Sequence, residues 1–195
     1  MESKLESKEF DDMTNENIFD QQFWKEAWDN DPNTQDKRMK RAGLGQPDAP
    51  GFEKWAENFN KNSFTEESQK RVKRIMSWIQ NQTGGFENLS ILDVGAASGV
   101  FSIPFSKESA KVTSLEPSSI LHGMLKDNAQ HYGVEIETIN ESFENIETTV
   151  IKKFDLVFAS MCPAVTTWEA VEKAIDIAHQ YVYVLSLIHI SDGAR

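Results

Sequence analysis

Only one cysteine, Cys162, occurs in the 195 residues. A disulfide within the chain is therefore excluded, and a lone cysteine suits a reducing compartment, which predicts a cytoplasmic protein. Positive charge is also scarce, with 20 Lys and Arg against 31 Asp and Glu and a net charge of −11. A surface of that sign is repelled by phosphate backbones and argues against a nucleic-acid partner unless a local basic patch exists. The stretch Asp36-Lys37-Arg38-Met39-Lys40-Arg41 is such a patch, but a solvated face explains it more simply. No apolar stretch approaches the roughly 18 residues of a membrane span, and none opens the chain as a secretory signal would. His122, His131 and His179 read as helical positions without metal-ligand spacing, so no metal is expected.

Two familiar nucleotide motifs are absent as well. The chain centres on Ser90-Ile-Leu-Asp-Val-Gly-Ala-Ala-Ser-Gly99. Its apolar half suits a strand buried on both faces of a parallel sheet, and its small-residue half suits a tight turn that a ligand can approach closely. A dinucleotide fingerprint starting at Gly95 would need glycine at 97 and 100, where Ala97 and Val100 stand. A P-loop would need Lys and then Ser or Thr after its second glycine, where Val100 and Phe101 stand. What remains is Asp93 at one strand end, Gly95-x-Ala97-x-Gly99, and Glu116 at the end of the next strand, Lys111–Leu115. A carboxylate so placed can accept both hydroxyls of a ribose.

Leu92-Asp93-Val94-Gly95-Ala96-Ala97-Ser98-Gly99 followed by Val112-Thr113-Ser114-Leu115-Glu116-Pro117-Ser118 resembles the class I S-adenosylmethionine (SAM)-dependent methyltransferases. The family usually has glycine where Ala97 stands, a departure of one methyl group. The resemblance implies a doubly wound Rossmann-like α/β fold with a parallel sheet of order 3-2-1-4-5. It implies SAM as cofactor, with Asp93, Gly95, Ala97, Gly99 and Glu116 at the binding loop and Glu141 and Ser142 near the adenine. It also places acceptor contacts in Ser160, Met161 and Cys162, after the fourth strand.

The remaining elements follow from periodicity. Residues 1–18 are polar and acidic and read as a disordered leader, in which Met13 is a candidate start. Residues 19–62 read as a helical, aromatic lid: Phe19, Phe23, Trp24 and Trp28 share a helical face, residues 43–51 form a loop, and Trp55-Ala56-x-x-Phe59 follows. The last segment is similar to one that folds over the cofactor in small-molecule methyltransferases, so Trp55 and Phe59 are further acceptor candidates. The cofactor-binding domain spans 63–187. Ser63-Phe64-Thr65-Glu66 fits a capping box, and Val72, Ile75, Met76 and Ile79 mark the inward face of a helix closed by Gly84. Helix is expected at 100–107, 119–132 and 167–178, and strand at 134–139, 154–159 and 181–185.

Residues 188–195 have no helical period and read as a non-native tail. The family's C-terminal antiparallel strands are then missing, and the open edge of strand five predicts self-association. Methyl transfer to a small molecule is the leading functional reading, with no catalytic residue assigned, because positioning alone can supply much of the acceleration. A non-catalytic SAM-binding protein and an RNA methyltransferase are the alternatives. Cys162 reads as a packing residue rather than a nucleophile.

Overall fold

A computed structural model describes residues 21–32, 37, 40, 41, 52–149 and 151–185. The expected leader at 1–18, the loop at 43–51 and the tail at 188–195 lie outside the described residues, as do Phe19 and the side chains of Trp24 and Trp28. After α1 (Gln21–Asn30), the chain forms α2 (Phe52–Ser63), α3 (Glu66–Thr83) and β1 (Ser90–Val94). It continues through α4 (Ser102–Lys107), β2 (Lys111–Leu115), α5 (Ser119–Tyr132) and β3 (Glu137–Ile139). A 3-10 turn (Phe143–Asn145), β4 (Phe154–Ser160), α6 (Trp168–Ile177) and β5 (Ala178–Leu185) complete it. The strands pair in the order β3-β2-β1-β4-β5, all parallel, which is the Rossmann-like arrangement.

The alternation of side chains along each strand builds two cores. Ile91 of β1, Val112 of β2 and Leu156 and Phe158 of β4 face α3 and α4. There Val72, Met76 and Ile79 of α3 pack beside Phe101 and Phe105, whose rings lie 4.7 and 5.1 Å from Phe158. Leu92, Val94, Leu115, Val157 and Ala159 face the other way, toward Ala174 and Ile177 of α6. Burying each of the larger side chains contributes about 1.5 to 3 kcal/mol. A run such as Ile-Leu-x-Val, apolar on both faces, is stable only between two such layers.

Gly84 ends α3 in the left-handed conformation (φ +78°), and Gly133 ends α5 in the same way (φ +64°). Pro104 is the third residue of α4, within the first turn, where its missing N–H costs nothing. Three local expectations are corrected. The residue capping α3 is Thr65, whose hydroxyl accepts from the Ser68 N–H, while Ser63 belongs to the end of α2 and is buried. Strand β3 begins at Glu137, not at 134, where Glu137 pairs with Thr113 of β2. Finally, β5 begins at Ala178, so His179 is a strand residue rather than a helical one.

Candidate functional site

Strand β1 delivers the chain to its carboxyl end, where Gly95, Ala97 and Gly99 all take positive φ (67°, 50° and 89°). This alternation folds the turn tightly back on itself. The Leu115 carbonyl at the end of β2 accepts from both Gly95 N–H (2.9 Å) and Ala96 N–H (3.0 Å). Ala97 sits in a conformation that suits glycine, at a strain of about 1 to 2 kcal/mol for a residue with a Cβ. A Cβ built on Gly95 would lie 2.5 Å from the Cys162 Cβ and 3.0 Å from its Sγ. The turn after β1 and the loop after β4 therefore touch, and glycine at 95 is what lets them.

Glu116 lies just beyond β2 and is 5% exposed. One carboxylate oxygen accepts from the Ala97 N–H (2.8 Å) and the other from the Ser118 N–H (2.9 Å), so the acid is fixed against the glycine turn. Its own carbonyl accepts from the Asn140 side chain at 2.8 Å, and its N–H donates to the Ile139 carbonyl. The ends of β2 and β3 are thereby locked together.

Asp93 is turned inward. Its carboxylate, 3% exposed, accepts from the Ser102 hydroxyl at 2.5 Å, and that hydroxyl accepts from Ser114 at 2.7 Å. Burial raises its pKa from 3.8 to about 7; the Ser102 bond opposes the rise and the neighbouring Glu116 adds to it. Asp93 thus sits behind the turn and braces it. Glu141 is held by the Ser142 N–H and then by the Asn145 side chain, both at 2.8 Å, and these bonds keep its carboxyl below the usual range.

On the β4 side, Ser160 ends the strand with a buried hydroxyl that has no partner among the described residues. Met161 has φ +57° and donates its N–H to the Leu185 carbonyl at 2.7 Å, tying the loop to β5. Burial pushes the Cys162 thiol up to about 11, although the residue as a whole keeps some exposed surface. A thiol raised in this way and pressed against Gly95 suits packing better than nucleophilic attack.

The aromatic helix covers this end of the sheet. Trp55 and Phe59 of α2 stack with ring centroids 5.2 Å apart, and both pack in one cluster with Ala97, Leu121 and Met124. Asn128 of α5 donates to the Asn60 side chain (2.8 Å) and to the Ser98 carbonyl (2.9 Å), which pins α2 to the glycine turn. The Ser98 hydroxyl, fully buried, has no partner among the described residues. The structure thus gathers Asp93, Gly95, Ala97, Gly99, Glu116, Trp55, Phe59 and Cys162 at one end of the sheet.

Ser102, Ser114, Asn128 and Asn140 also belong to this constellation, although sequence reasoning did not single them out. For Ser114 a signal existed: aligning the ends of the first two strands pairs it with Asp93. Among the described residues no three His, Cys, Asp or Glu side chains group as metal ligands do, and no helix is long and apolar enough to cross a membrane.

Residues 91–183 match the family model described as a methyltransferase domain. No curated protein sequence matches the chain. Among solved structures it is similar to magnesium protoporphyrin IX methyltransferase from Synechocystis PCC 6803 with bound SAM. The identity is 21% over 74% of this chain and 72% of that one, with a TM-score of 0.55. Against the same protein with bound S-adenosylhomocysteine (SAH) the identity is 19%, over 67% and 64% of the two chains, with a TM-score of 0.53. At such identities the likeness is one of fold.

Proposed function

Residues 91–183 of this chain form a SAM-dependent methyltransferase domain on a Rossmann-like sheet, and from that premise we propose that the protein methylates a small-molecule acceptor. The observation that carries the reading is the pinning of α2 to the glycine turn, since Asn128 donates to both the Asn60 side chain and the Ser98 carbonyl, while Trp55, Phe59 and Ala97 pack around one cluster of Phe52, Ala56 and Leu121. A lid over the cofactor loop leaves entry to a compact acceptor rather than to a folded macromolecule. The solved neighbour named for magnesium protoporphyrin IX supports that class without specifying the acceptor here.

The residues present fit the cofactor. Glu116, already oriented by two backbone donors, is the acceptor for the ribose hydroxyls. Gly95 to Gly99 face the methionine portion, and the unpaired hydroxyls of Ser98 and Ser160 are groups that a ligand would satisfy. Glu141 and Ser142 lie toward the adenine. The aromatic faces of Trp55 and Phe59 attract a sulfonium, by about 0.5 to 2 kcal/mol. Asp93 acts through the turn, as a positioning residue.

SAM supplies a methyl group already activated on sulfur. The chain's own task is then to exclude water and hold the acceptor in line, and a base is required only where the acceptor must lose a proton early. Calorimetry with SAH on the intact protein tests the cofactor site, and a folded sample that does not bind would sink it. Incubation with methyl-labelled SAM and a metabolite panel tests the acceptor class. Label is expected in a small molecule; label found only in RNA or protein would refute that part.

A further inference from the structure

Two carboxylates are buried beside the glycine turn. Asp93 stands two residues before Gly95, and Glu116 accepts from the Ala97 N–H at 2.8 Å, so both acids adjoin the backbone that faces the cofactor. The groups around Asp93 come from four directions. Ser114 of β2 and Phe158 of β4 are its neighbours in the sheet, Ser102 of α4 donates to it, and Glu116 opposes its charge from beyond β2. From the loop after β4, the Cys162 thiol is pushed up by the charge of Asp93 and of Glu116, which means that both fields reach the crevice. No Lys, Arg or His among the described residues forms an ion pair with Asp93.

Two like charges held among apolar side chains such as Ile91, Val94, Leu115 and Phe158 are poorly screened and costly. The buried layer is built so that one of them can be withdrawn. Ser102 donates to Asp93 at 2.5 Å and accepts from Ser114 at 2.7 Å, and hydroxyl hydrogens that rotate can serve the carboxyl with or without its proton. Burial pushes the Asp93 carboxyl up to about 7, and Glu116 adds to the rise. A positive charge entering the crevice favours the ionised form and displaces that proton.

The substrate and product forms of the cofactor differ by such a charge, since SAM carries a sulfonium and SAH a neutral thioether. We propose that Asp93 makes the pocket prefer SAM over SAH, by releasing a proton when the cationic cofactor enters and recovering one after the methyl has left. The balance closes. The Asp93 proton passes to solvent as SAM binds; once the methyl has moved to the acceptor, the sulfur is neutral and a proton from solvent returns to the carboxylate. Asp93 lies behind the turn, so it acts through charge rather than contact and is a specificity residue. The inference rests on the methyltransferase reading above.

The test measures SAM and SAH affinities of the full chain by calorimetry at pH 5.5, 6.5 and 7.5. The ratio favouring SAM is expected to rise about fivefold or more over that range. At pH 6.5, titrations in phosphate and in imidazole, whose heats of ionisation differ, should show more protons released by SAM than by SAH. Asp93→Asn, which keeps an acceptor for Ser102, should lose both effects. The ligand's own α-amino group titrates near about 8, and losing its positive charge would lower the ratio rather than raise it, so the parent chain decides the matter even without the variant. A ratio that is flat or falls with pH, equal proton release by the two ligands, or retention of both effects in Asp93→Asn would overturn the proposal. Binding of both ligands with a flat ratio removes this proposal alone, whereas a folded chain that binds neither overturns the cofactor reading and the proposal with it.

Discussion

Asp93→Asn should change how stability responds to pH. In the folded chain the Asp93 carboxyl titrates near 7, against 3.8 for an ordinary aspartate, chiefly because it is buried. Between those values the folded state keeps a proton that the unfolded state has lost, so this residue makes stability fall as pH rises. Below about 4 both states are protonated and the contribution vanishes; above 7 it is complete. A shift from 3.8 to about 7 corresponds to about 4 kcal/mol at about 1.4 kcal/mol per unit, taken as an upper bound.

Asparagine keeps an oxygen that can accept from Ser102 but carries no charge. The variant's stability relative to the parent should therefore rise steadily from pH 4.5 to pH 8. Urea unfolding followed by circular dichroism at pH 4.5, 6 and 8 measures this. The comparison with the parent cancels groups whose pKa is lowered in the folded chain, such as Asp155, held by the Ser90 N–H and hydroxyl, and Glu137, held by Thr113. A difference between variant and parent that does not depend on pH would refute the inward, buried placement of Asp93.

Three further outcomes are expected. Gly95→Ala should cost about 2 to 5 kcal/mol in urea unfolding, because the added Cβ meets Cys162 at 2.5 Å and φ is +67°. Adding Cys162→Gly should recover at least about 1 kcal/mol of this, and strict additivity would contradict the contact. Ala97→Gly relieves strain at φ +50° and should raise the melting temperature by roughly 1 to 4 °C; a lower melting temperature would mean that the methyl's packing under the lid outweighs the strain. Glu116→Ala should weaken SAH binding by about 1.5 to 3 kcal/mol in calorimetry and also lower stability, since the Ala97 and Ser118 N–H groups lose their acceptor. Unchanged affinity would place the ribose elsewhere.

Much of the fold could be read from the sequence because its signals are local. A run apolar on both faces is a buried strand wherever it occurs, and Gly133 or Gly84 stops a helix by its own conformational freedom. On those grounds β2, α5 and the end of α3 were placed to the residue, and β1 to within one. The acids at 93 and 116 stood out because polar groups at the ends of apolar strands are costly without a role. Tertiary structure decided what spacing does not encode. It turned Asp93 inward onto Ser102, because the register that pairs residue 93 with Ser114 puts three polar side chains in one buried layer. It moved the α3 cap from Ser63 to Thr65, because α2 runs on through Ser63 and buries it. It joined α2 to the glycine turn through Asn128, which donates to Asn60 and to the Ser98 carbonyl, a meeting of elements that no single periodicity contains. Local sequence specifies which residues can form an element; the side chains that meet between elements depend on register and helix packing, which only the folded chain supplies.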